Sequence, residues 1–198
     1  MIEAVILDLG GVIARPPTAA AFDRVRACCG VPVEGFEEAW YRHRLAYDRG
    51  DLTAAEYWRL VGVEVDGRLD EILDLDAEAW ADCEPALVEW LPALRAAGLR
   101  TALLSNMPRE QWSGLAPRFA WLEHCDEVTL SFELRAAKPE ERMYRHCLER
   151  LGVEPQQSVF VDDREENVDA ARAIGMHALH FIGVDDLRAH LPEGIPRP

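Results

Sequence analysis

The sequence has no long apolar segment and no excess of basic residues. No apolar run among its 198 residues approaches the roughly 20 that a membrane-spanning helix needs. No basic region precedes an apolar one at Met1-Ile2-Glu3, so we expect no secretory signal. Acidic residues outnumber basic ones by 36 to 21, which gives a formal net charge of −15. This balance argues against nucleic acid or an anionic membrane as a partner, while a local cationic pocket can still bind a small phosphate.

The cysteines follow neither a zinc-binding nor a disulfide pattern. The five cysteines are odd in number, and none belongs to a CxxC pair. They are Cys28, Cys29, Cys83, Cys125 and Cys147. We therefore expect reduced thiols in a cytoplasmic protein. The sequence leaves the oligomeric state open between a monomer and a homodimer.

Strand and helix patterns alternate from Pro85 onward. Apolar runs predict strands at 4–7, 99–104 and 158–161, with shorter strands near 127–131 and 178–181. Helical spacing predicts helices at 85–97, 109–118 and 140–151, and another that ends at Ile174, while 192–198 resembles a loose tail. Continuous apolar strands separated by helices indicate a parallel sheet that is covered on both faces. We predict an α/β, doubly wound, Rossmann-like fold with three αβα layers.

Residues 15–84 do not follow this alternation. Helical patterns cover 19–29, 36–49 and 53–61, with weaker ones up to Trp80. Thr53 and Glu56 have the spacing of a capping box, which predicts a helix start at Thr53. Because the first strand precedes this block and the others follow it, we predict a small all-helical domain of residues 15–84. The core then consists of residues 1–14 and 85–198.

Polar residues follow three of the predicted strands. Asp8 follows the first, Ser105-Asn106 the second, and Asp162-Asp163 the later strand at 158–161. Because ligands bind beyond the carboxyl ends of parallel strands, we expect these residues and Lys138 to share one crevice. Singly, each could be a turn residue, a helix cap or a surface lysine, but their joint appearance favours a site. Three carboxylates repel one another unless a cation is present, and an all-oxygen site suits Mg²⁺.

This set of strand ends resembles the haloacid dehalogenase-like hydrolases, which are mostly Mg²⁺-dependent phosphatases with a phosphoaspartate intermediate. The resemblance spans nearly the whole chain, and the helical insertion lies where that family places a small cap. The matching residues are Asp8, Ser105-Asn106, Lys138-Pro139, Asp162-Asp163, Asn167 and Gly175-Met176, and the segment from Tyr47 to Thr53 is similar to cap sequences. The Asp-Leu-Gly start, Leu-Ser-Asn and the Asp-Asp ending most resemble sugar-1-phosphate phosphatases.

The resemblance implies a role for each matching residue. Asp8 is the nucleophile that attacks phosphorus, and Lys138 neutralises charge between Asp8 and the phosphate. Ser105 and the backbone amide of Asn106 bind the phosphoryl oxygens. Mg²⁺ is held by Asp8, the backbone carbonyl of Gly10, and Asp163 supported by Asp162. These roles suit phosphoryl transfer, which depends on in-line positioning and charge stabilisation.

Gly10 stands where phosphatases of this family carry the Asp that protonates the leaving oxygen. Three interpretations remain open. The first is a phosphatase for a small metabolite, with sugar 1-phosphates leading because an anomeric oxygen departs easily. The second is a metal-independent 2-haloacid dehalogenase, since halide needs no proton, although those enzymes generally have Ser and Asn in place of Asp162-Asp163. The third is a catalytically weak phosphate-binding protein.

The residues that select the substrate are less well defined. Arg15, Arg42, Tyr47 and Arg49 are candidates within the insertion. The six tryptophans are expected to form the cores of the two lobes.

Overall fold

A parallel sheet forms the centre of the computed structural model, which describes residues 1–30 and 35–198. Residues 31–34, in the predicted helical insertion, lie outside the described residues. The strands are β1 (Ala4–Leu7), β2 (Arg100–Ser105), β3 (Glu127–Leu130), β4 (Ser158–Asp162) and β5 (His177–His180). Across the described chain they form a five-stranded sheet in the order β3-β2-β1-β4-β5, with every neighbouring pair parallel. The predicted α/β fold is confirmed.

Helices cover both faces of this sheet. The insertion contains α1 (Ala19–Cys29), α2 (Phe36–Arg42), α3 (Arg44–Asp48), α4 (Ala54–Leu60) and α5 (Leu69–Ala79). The sheet domain contains α6 (Pro85–Ala96), α7 (Arg109–Leu115), α8 (Ser131–Leu134), α9 (Glu141–Leu151), α10 (Glu165–Ala173) and α11 (Val184–His190). Val5 and Leu7 of β1 belong to one hydrophobic cluster, and Ala4 and Ile6 to the other. Since successive side chains point to opposite faces, β1 is apolar throughout.

Helices α1 to α5 have a hydrophobic cluster of their own. Its aromatic centre includes Trp40, Trp58 and Tyr57, with neighbouring ring centroids 5.3 Å apart. The capping box at Thr53 is present: its hydroxyl accepts a bond from the Glu56 amide, and the Glu56 carboxylate accepts one from the Thr53 amide. The predicted start of α4 is therefore correct.

Two adjacent linkers connect this helical block to the sheet. Ala14 forms an antiparallel bridge with Cys83. The Arg15 amide donates to the Asp82 carbonyl, and the Glu84 amide donates to the Ile13 carbonyl, each across 2.8 Å. The chain therefore enters and leaves the block side by side.

Several local predictions differ from the structure. The helix predicted over 36–49 divides at His43, whose φ of −110° and ψ of 3° are not helical. Helix α9 begins at Glu141, one residue after the start predicted from the sequence at 140. The C-terminal segment is not a loose tail, because Ile195 is buried and the Trp90 indole donates to the Pro196 carbonyl across 2.6 Å. None of the helices in the two described ranges is long and apolar enough to cross a membrane.

Candidate active site

The predicted site residues meet at the carboxyl edge of the sheet. Asp8 follows β1, Ser105 ends β2 and Asp162 ends β4, so the order β2-β1-β4 places them side by side. A cavity of about 510 Å³ opens there. It is lined by Asp8, Gly10, Ser105, Asn106, Lys138 and Asp163, all of which the sequence indicated. The remaining predicted residue, Asp162, is fully buried and contacts the group through Lys138.

Lys138 links two of the carboxylates. Its Nζ donates to Asp8 Oδ1 across 2.8 Å and to Asp162 Oδ2 across 2.6 Å. Burial alone would lower the pKa of Lys138, but the two carboxylates outweigh it and raise that pKa. The ammonium group is therefore held charged between the two acids.

Asp162 accepts three hydrogen bonds. Its Oδ1 accepts bonds from the Arg164 amide and from Asn167 Nδ2, each at 2.9 Å, and its Oδ2 accepts from Lys138. Although burial opposes ionisation, Lys138 and these hydrogen bonds hold the pKa of Asp162 below its usual value. This geometry suits a carboxylate that orients Lys138.

Asp8 is in a different electrostatic position. Its Oδ1 accepts bonds from the Leu9 amide across 2.7 Å and from Lys138. Burial raises the pKa of Asp8 to about 8; Lys138 opposes this, while Asp162 and Asp163 add to it. Asp163 is affected in the same direction, because burial and then Asp162 raise its pKa. Lys138 alone therefore does not offset the burial and mutual repulsion of these carboxylates.

The carboxylate group fits a divalent cation. Oxygens of Asp8, Asp162 and Asp163 lie within 4.8 Å of one another. With three carboxylates and one ammonium, the cluster has a formal charge of −2 in a largely buried site. All-oxygen donors with excess negative charge are what Mg²⁺ requires. Because Asp162 already accepts three hydrogen bonds, Asp8 and Asp163 are the better placed ligands.

The two glycines after Asp8 meet different neighbours. Gly11 has a φ of +77°, and a Cβ there would lie 2.2 Å from Asp163 Oδ2, so a larger residue would displace that carboxylate. Gly10 does not have a positive φ. A Cβ at Gly10 would instead lie 3.2 Å from Cζ3 of Trp80, which lines the cavity. The space beside Gly10, where the missing carboxylate would extend, is therefore bordered by an indole ring.

Asn106 positions the lysine loop. Its Nδ2 donates to the Lys138 carbonyl across 3.0 Å, and its Oδ1 accepts from the Lys138 amide across 2.8 Å. The sequence pattern predicted a role for the Asn106 backbone, but it contained no sign of this side-chain clamp.

The four candidates for substrate selection lie outside the cavity lining. Arg15 pairs with Asp82 and Glu84, Arg42 with Glu38, and Arg49 with Asp51 and Glu140, while Tyr47 stacks on Tyr57. The insertion instead contributes other residues to the cavity, which sequence reasoning missed. They are Pro16, Trp40, Tyr41, Arg44, Leu45, Asp48 and Trp80. One signal in the sequence could have identified most of these residues. Helical spacing relates positions 40, 41, 44, 45 and 48, which places them on one face of α2 and α3.

Arg44 joins the insertion to the sheet domain. Its Nε donates to Asp48 across 2.7 Å, and its Nη2 donates to Gln111 of α7, which also lines the cavity. Asp76 Oδ2 lies 4.0 Å from Arg44 Nη1, beyond hydrogen-bond distance. Burial raises the pKa of Asp76 to about 6, with Arg44 opposing this and Asp48 adding to it.

Comparisons with known proteins place the chain in a family and identify similar proteins. A family model described as haloacid dehalogenase-like hydrolase matches residues 2–175. The chain is 30% identical over 190 residues to Phosphatase MT3486 of Mycobacterium tuberculosis, covering 89% of this chain and 86% of that protein. It is also 30% identical over 137 residues to (S)-2-haloacid dehalogenase 1 of a Pseudomonas species, covering 64% of this chain and 60% of that protein.

A solved structure shows the same fold. It is a HAD family enzyme, bt-2542 of Bacteroides thetaiotaomicron, in complex with magnesium and inorganic phosphate. The TM-score is 0.73 at 22% identity, covering 91% of this chain and 94% of that one.

Proposed function

The chain belongs to the haloacid dehalogenase-like hydrolase family, and from this premise we propose that it hydrolyses the phosphate monoester of a small metabolite. The reaction uses Mg²⁺ and a phosphoaspartate intermediate on Asp8, and sugar 1-phosphates are the leading substrate class. The observation that carries this proposal is the Lys138 ammonium between Asp8 and Asp162, with Asp163 beside them in one cavity.

The domain organisation follows from the same proposal. Residues 1–14 and 85–198 form the catalytic core, and residues 15–84 form the cap. Two observations support this division: the described insertion helices have their own hydrophobic cluster, and the linkers pair at Ala14 and Cys83.

The proposed reaction consists of two successive displacements at phosphorus, in which the side chains have separate roles. In the first, a carboxylate oxygen of Asp8 forms a bond to phosphorus while the ester P–O bond breaks and its electron pair leaves with the alcohol oxygen. In the second, a water oxygen forms a bond to phosphorus while the bond between phosphorus and the Asp8 oxygen breaks. This regenerates the Asp8 carboxylate and releases inorganic phosphate, and the proton that the water loses passes to solvent. Lys138 offsets negative charge beside Asp8, and Ser105 with the Asn106 amide holds the phosphoryl oxygens.

The metal ligands are Asp8, Asp163 and the backbone carbonyl of Gly10. Asp162 was predicted with them, and we assign it to orienting Lys138 because its oxygens already accept three hydrogen bonds. When bound, Mg²⁺ supplies charge stabilisation at the phosphoryl group.

A turnover assay with the purified full chain tests the proposal. The panel is glucose 1-phosphate, glucose 6-phosphate, a nucleoside 5′-monophosphate and 4-nitrophenyl phosphate, each with Mg²⁺ and with a chelator, and 2-chloropropionate is the haloacid control. We expect phosphate release that stops in chelator. Chloride release that continues in chelator would instead support the dehalogenase, and phosphate binding without turnover would support the weakly catalytic binder.

A further inference from the structure

Trp80 lies at the junction of the two lobes. It directly follows α5 and packs against both the insertion cluster and the main cluster of the sheet domain. The edge of its benzo ring faces Gly10: a Cβ at Gly10 would lie 3.2 Å from Cζ3 and 3.8 Å from Cε3 and Cη2. The indole therefore occupies the space into which a side chain at position 10 would extend.

Glycine is favoured at position 10 by the nearby Trp80 ring and not by backbone conformation. Gly11 requires glycine because its φ is +77°, but Gly10 is not in that region. The ring also provides no substitute acid, because Trp80 Nε1 is buried and an indole N–H does not ionise at neutral pH. The space that would hold a proton donor is thus filled by a hydrocarbon surface.

Other apolar side chains continue this surface away from the nucleophile. Trp40, Tyr41 and Leu45 line the same cavity as Trp80. Tyr41 and Leu45 are 58% and 51% exposed, although both are large and apolar. The cavity therefore has a charged end at Asp8 and Lys138 and an apolar wall formed by the insertion.

We propose that Trp80 forms the leaving-group subsite and determines the substrate class. It selects phosphate esters whose leaving group has a flat apolar face and a leaving oxygen of low basicity. An aryl phosphate has this chemistry, and so does a pyranose linked to phosphate through its anomeric carbon. This inference rests on the proposed phosphatase function.

The first displacement explains why the leaving group needs both a flat apolar face and an oxygen of low basicity. When Asp8 forms its bond to phosphorus, the ester P–O bond breaks and the leaving oxygen keeps the electron pair as an anion, which then takes a proton from water. A positioned acid typically raises the rate by ~10²–10⁴-fold. Without such an acid, the rate falls most for leaving groups that depart as basic alkoxides. A leaving group that stacks on Trp80 and departs as a weak base meets both conditions.

Kinetics of Trp80 variants test this subsite. Phenyl phosphate and glucose 1-phosphate have ring leaving groups, and ethyl phosphate is the alkyl reference. We expect Trp80→Leu to lower kcat/KM by about 3–10-fold for the ring substrates, mainly through KM, and to change ethyl phosphate by less than about twofold. Trp80→Phe should retain most of the preference, since a planar ring remains. Trp121→Phe is the matched control, because Trp121 packs against Phe119 in the core.

Two further variants test whether the Trp80 ring blocks a side chain at position 10. Gly10→Asp alone should lose activity, because its Cβ meets the Trp80 ring. The double variant Gly10→Asp/Trp80→Ala should hydrolyse ethyl phosphate about tenfold faster or more than Trp80→Ala does, since the carboxylic acid then has room. Circular dichroism of each variant establishes that it is folded. Where Trp80→Leu does not fold, Trp80→Met carries the test, because it keeps a long apolar side chain without a planar ring.

The outcomes separate this inference from the proposed function. If the wild type releases phosphate but Trp80→Leu retains the same ring preference as Trp121→Phe, the subsite is overturned and the phosphatase stands. The same holds if Gly10→Asp alone accelerates ethyl phosphate hydrolysis. If the wild type releases no phosphate from any ester with Mg²⁺, the proposed function fails first and this inference fails with it.

Discussion

The Ser131 hydroxyl donates a hydrogen bond to the Asp48 backbone carbonyl across 2.5 Å. Ser131 begins α8 in the sheet domain, whereas Asp48 ends α3 in the insertion. The same oxygen accepts a bond from the Met107 amide at 2.8 Å, next to the Ser105-Asn106 pair. One buried serine thus connects the insertion to the loop that we assign to phosphate binding.

Ser131→Ala should therefore weaken this connection. The change leaves the Met107 amide without its bond and should lower the free energy of unfolding by about 1–3 kcal/mol. We also expect KM to rise more than kcat falls, because the phosphate loop loses a support. Denaturant titration and steady-state kinetics measure both effects. Ser113→Ala is the control, since the Ser113 hydroxyl bonds only the Arg109 carbonyl within α7; equal kinetics for the two variants would contradict the connection.

Asp8→Asn should abolish turnover in a protein that still folds. An amide nearly matches the carboxylate in shape but cannot serve as the anionic nucleophile. Lys138 retains its bond to Asp162, so the lysine keeps one charged partner. Phosphate release and circular dichroism are the measurements. Wild-type activity in a folded Asp8→Asn protein would rule out the phosphoaspartate mechanism.

Gly11→Ala should weaken Mg²⁺ activation more than backbone strain alone explains. The new Cβ would lie 2.2 Å from Asp163 Oδ2, so the carboxylate must move from its present position. Gly98→Ala is the matched control, because Gly98 has a similar φ of +80°, and apart from its chain neighbours no described residue has an atom within 4 Å of the added Cβ. We expect at least about a tenfold higher Mg²⁺ concentration for half-maximal rate in Gly11→Ala. Similar activation curves for both variants would show that Asp163 is not a ligand.

Asp76→Asn should become relatively more stable as pH rises. The unfolded pKa of Asp is about 3.9, whereas burial raises the folded pKa of Asp76 to about 6. The folded state therefore holds this proton longer, so the contribution of Asp76 to stability is largest below about pH 4 and falls as pH rises through 6. The wild type should lose up to about 3 kcal/mol relative to the variant over this window.

Thermal and denaturant unfolding at several pH values measure this difference. Asp66→Asn is the control, because the Asp66 side chain is 98% exposed. Parallel stability curves for Asp76→Asn and the wild type would mean that Asp76 ionises normally in the fold.

The sheet and its polar edge were predictable because their signals are local. A buried parallel strand must be apolar on both faces, as β1 is from Ala4 to Leu7, and the first polar residue after it marks the strand end. Since all the strands in the described chain run parallel, these ends meet at one edge. Asp8, Ser105 and Asp162 could therefore be placed together from the sequence alone.

The remaining contacts depend on how the insertion lies on the sheet domain. Arg44 and Gln111 are 67 positions apart and meet only across that junction. Trp80 was expected in a hydrophobic core, and composition cannot distinguish a core tryptophan from one that faces a cavity. The clamp of Asn106 on Lys138 was likewise hidden, because it joins backbone and side chain 32 positions apart.

The paired linkers at Ala14 and Cys83 make the insertion exchangeable as a unit. The segments by which the chain enters and leaves the insertion are hydrogen-bonded to each other. A helical block of another size can therefore replace the insertion without altering the register of β1 against β2 or β4. The residues around Asp8 and Lys138 come from strand ends outside the block, whereas Tyr41, Leu45 and Trp80 come from within it. Evolution can therefore alter the choice of substrate and the bond-breaking chemistry on separate stretches of the gene.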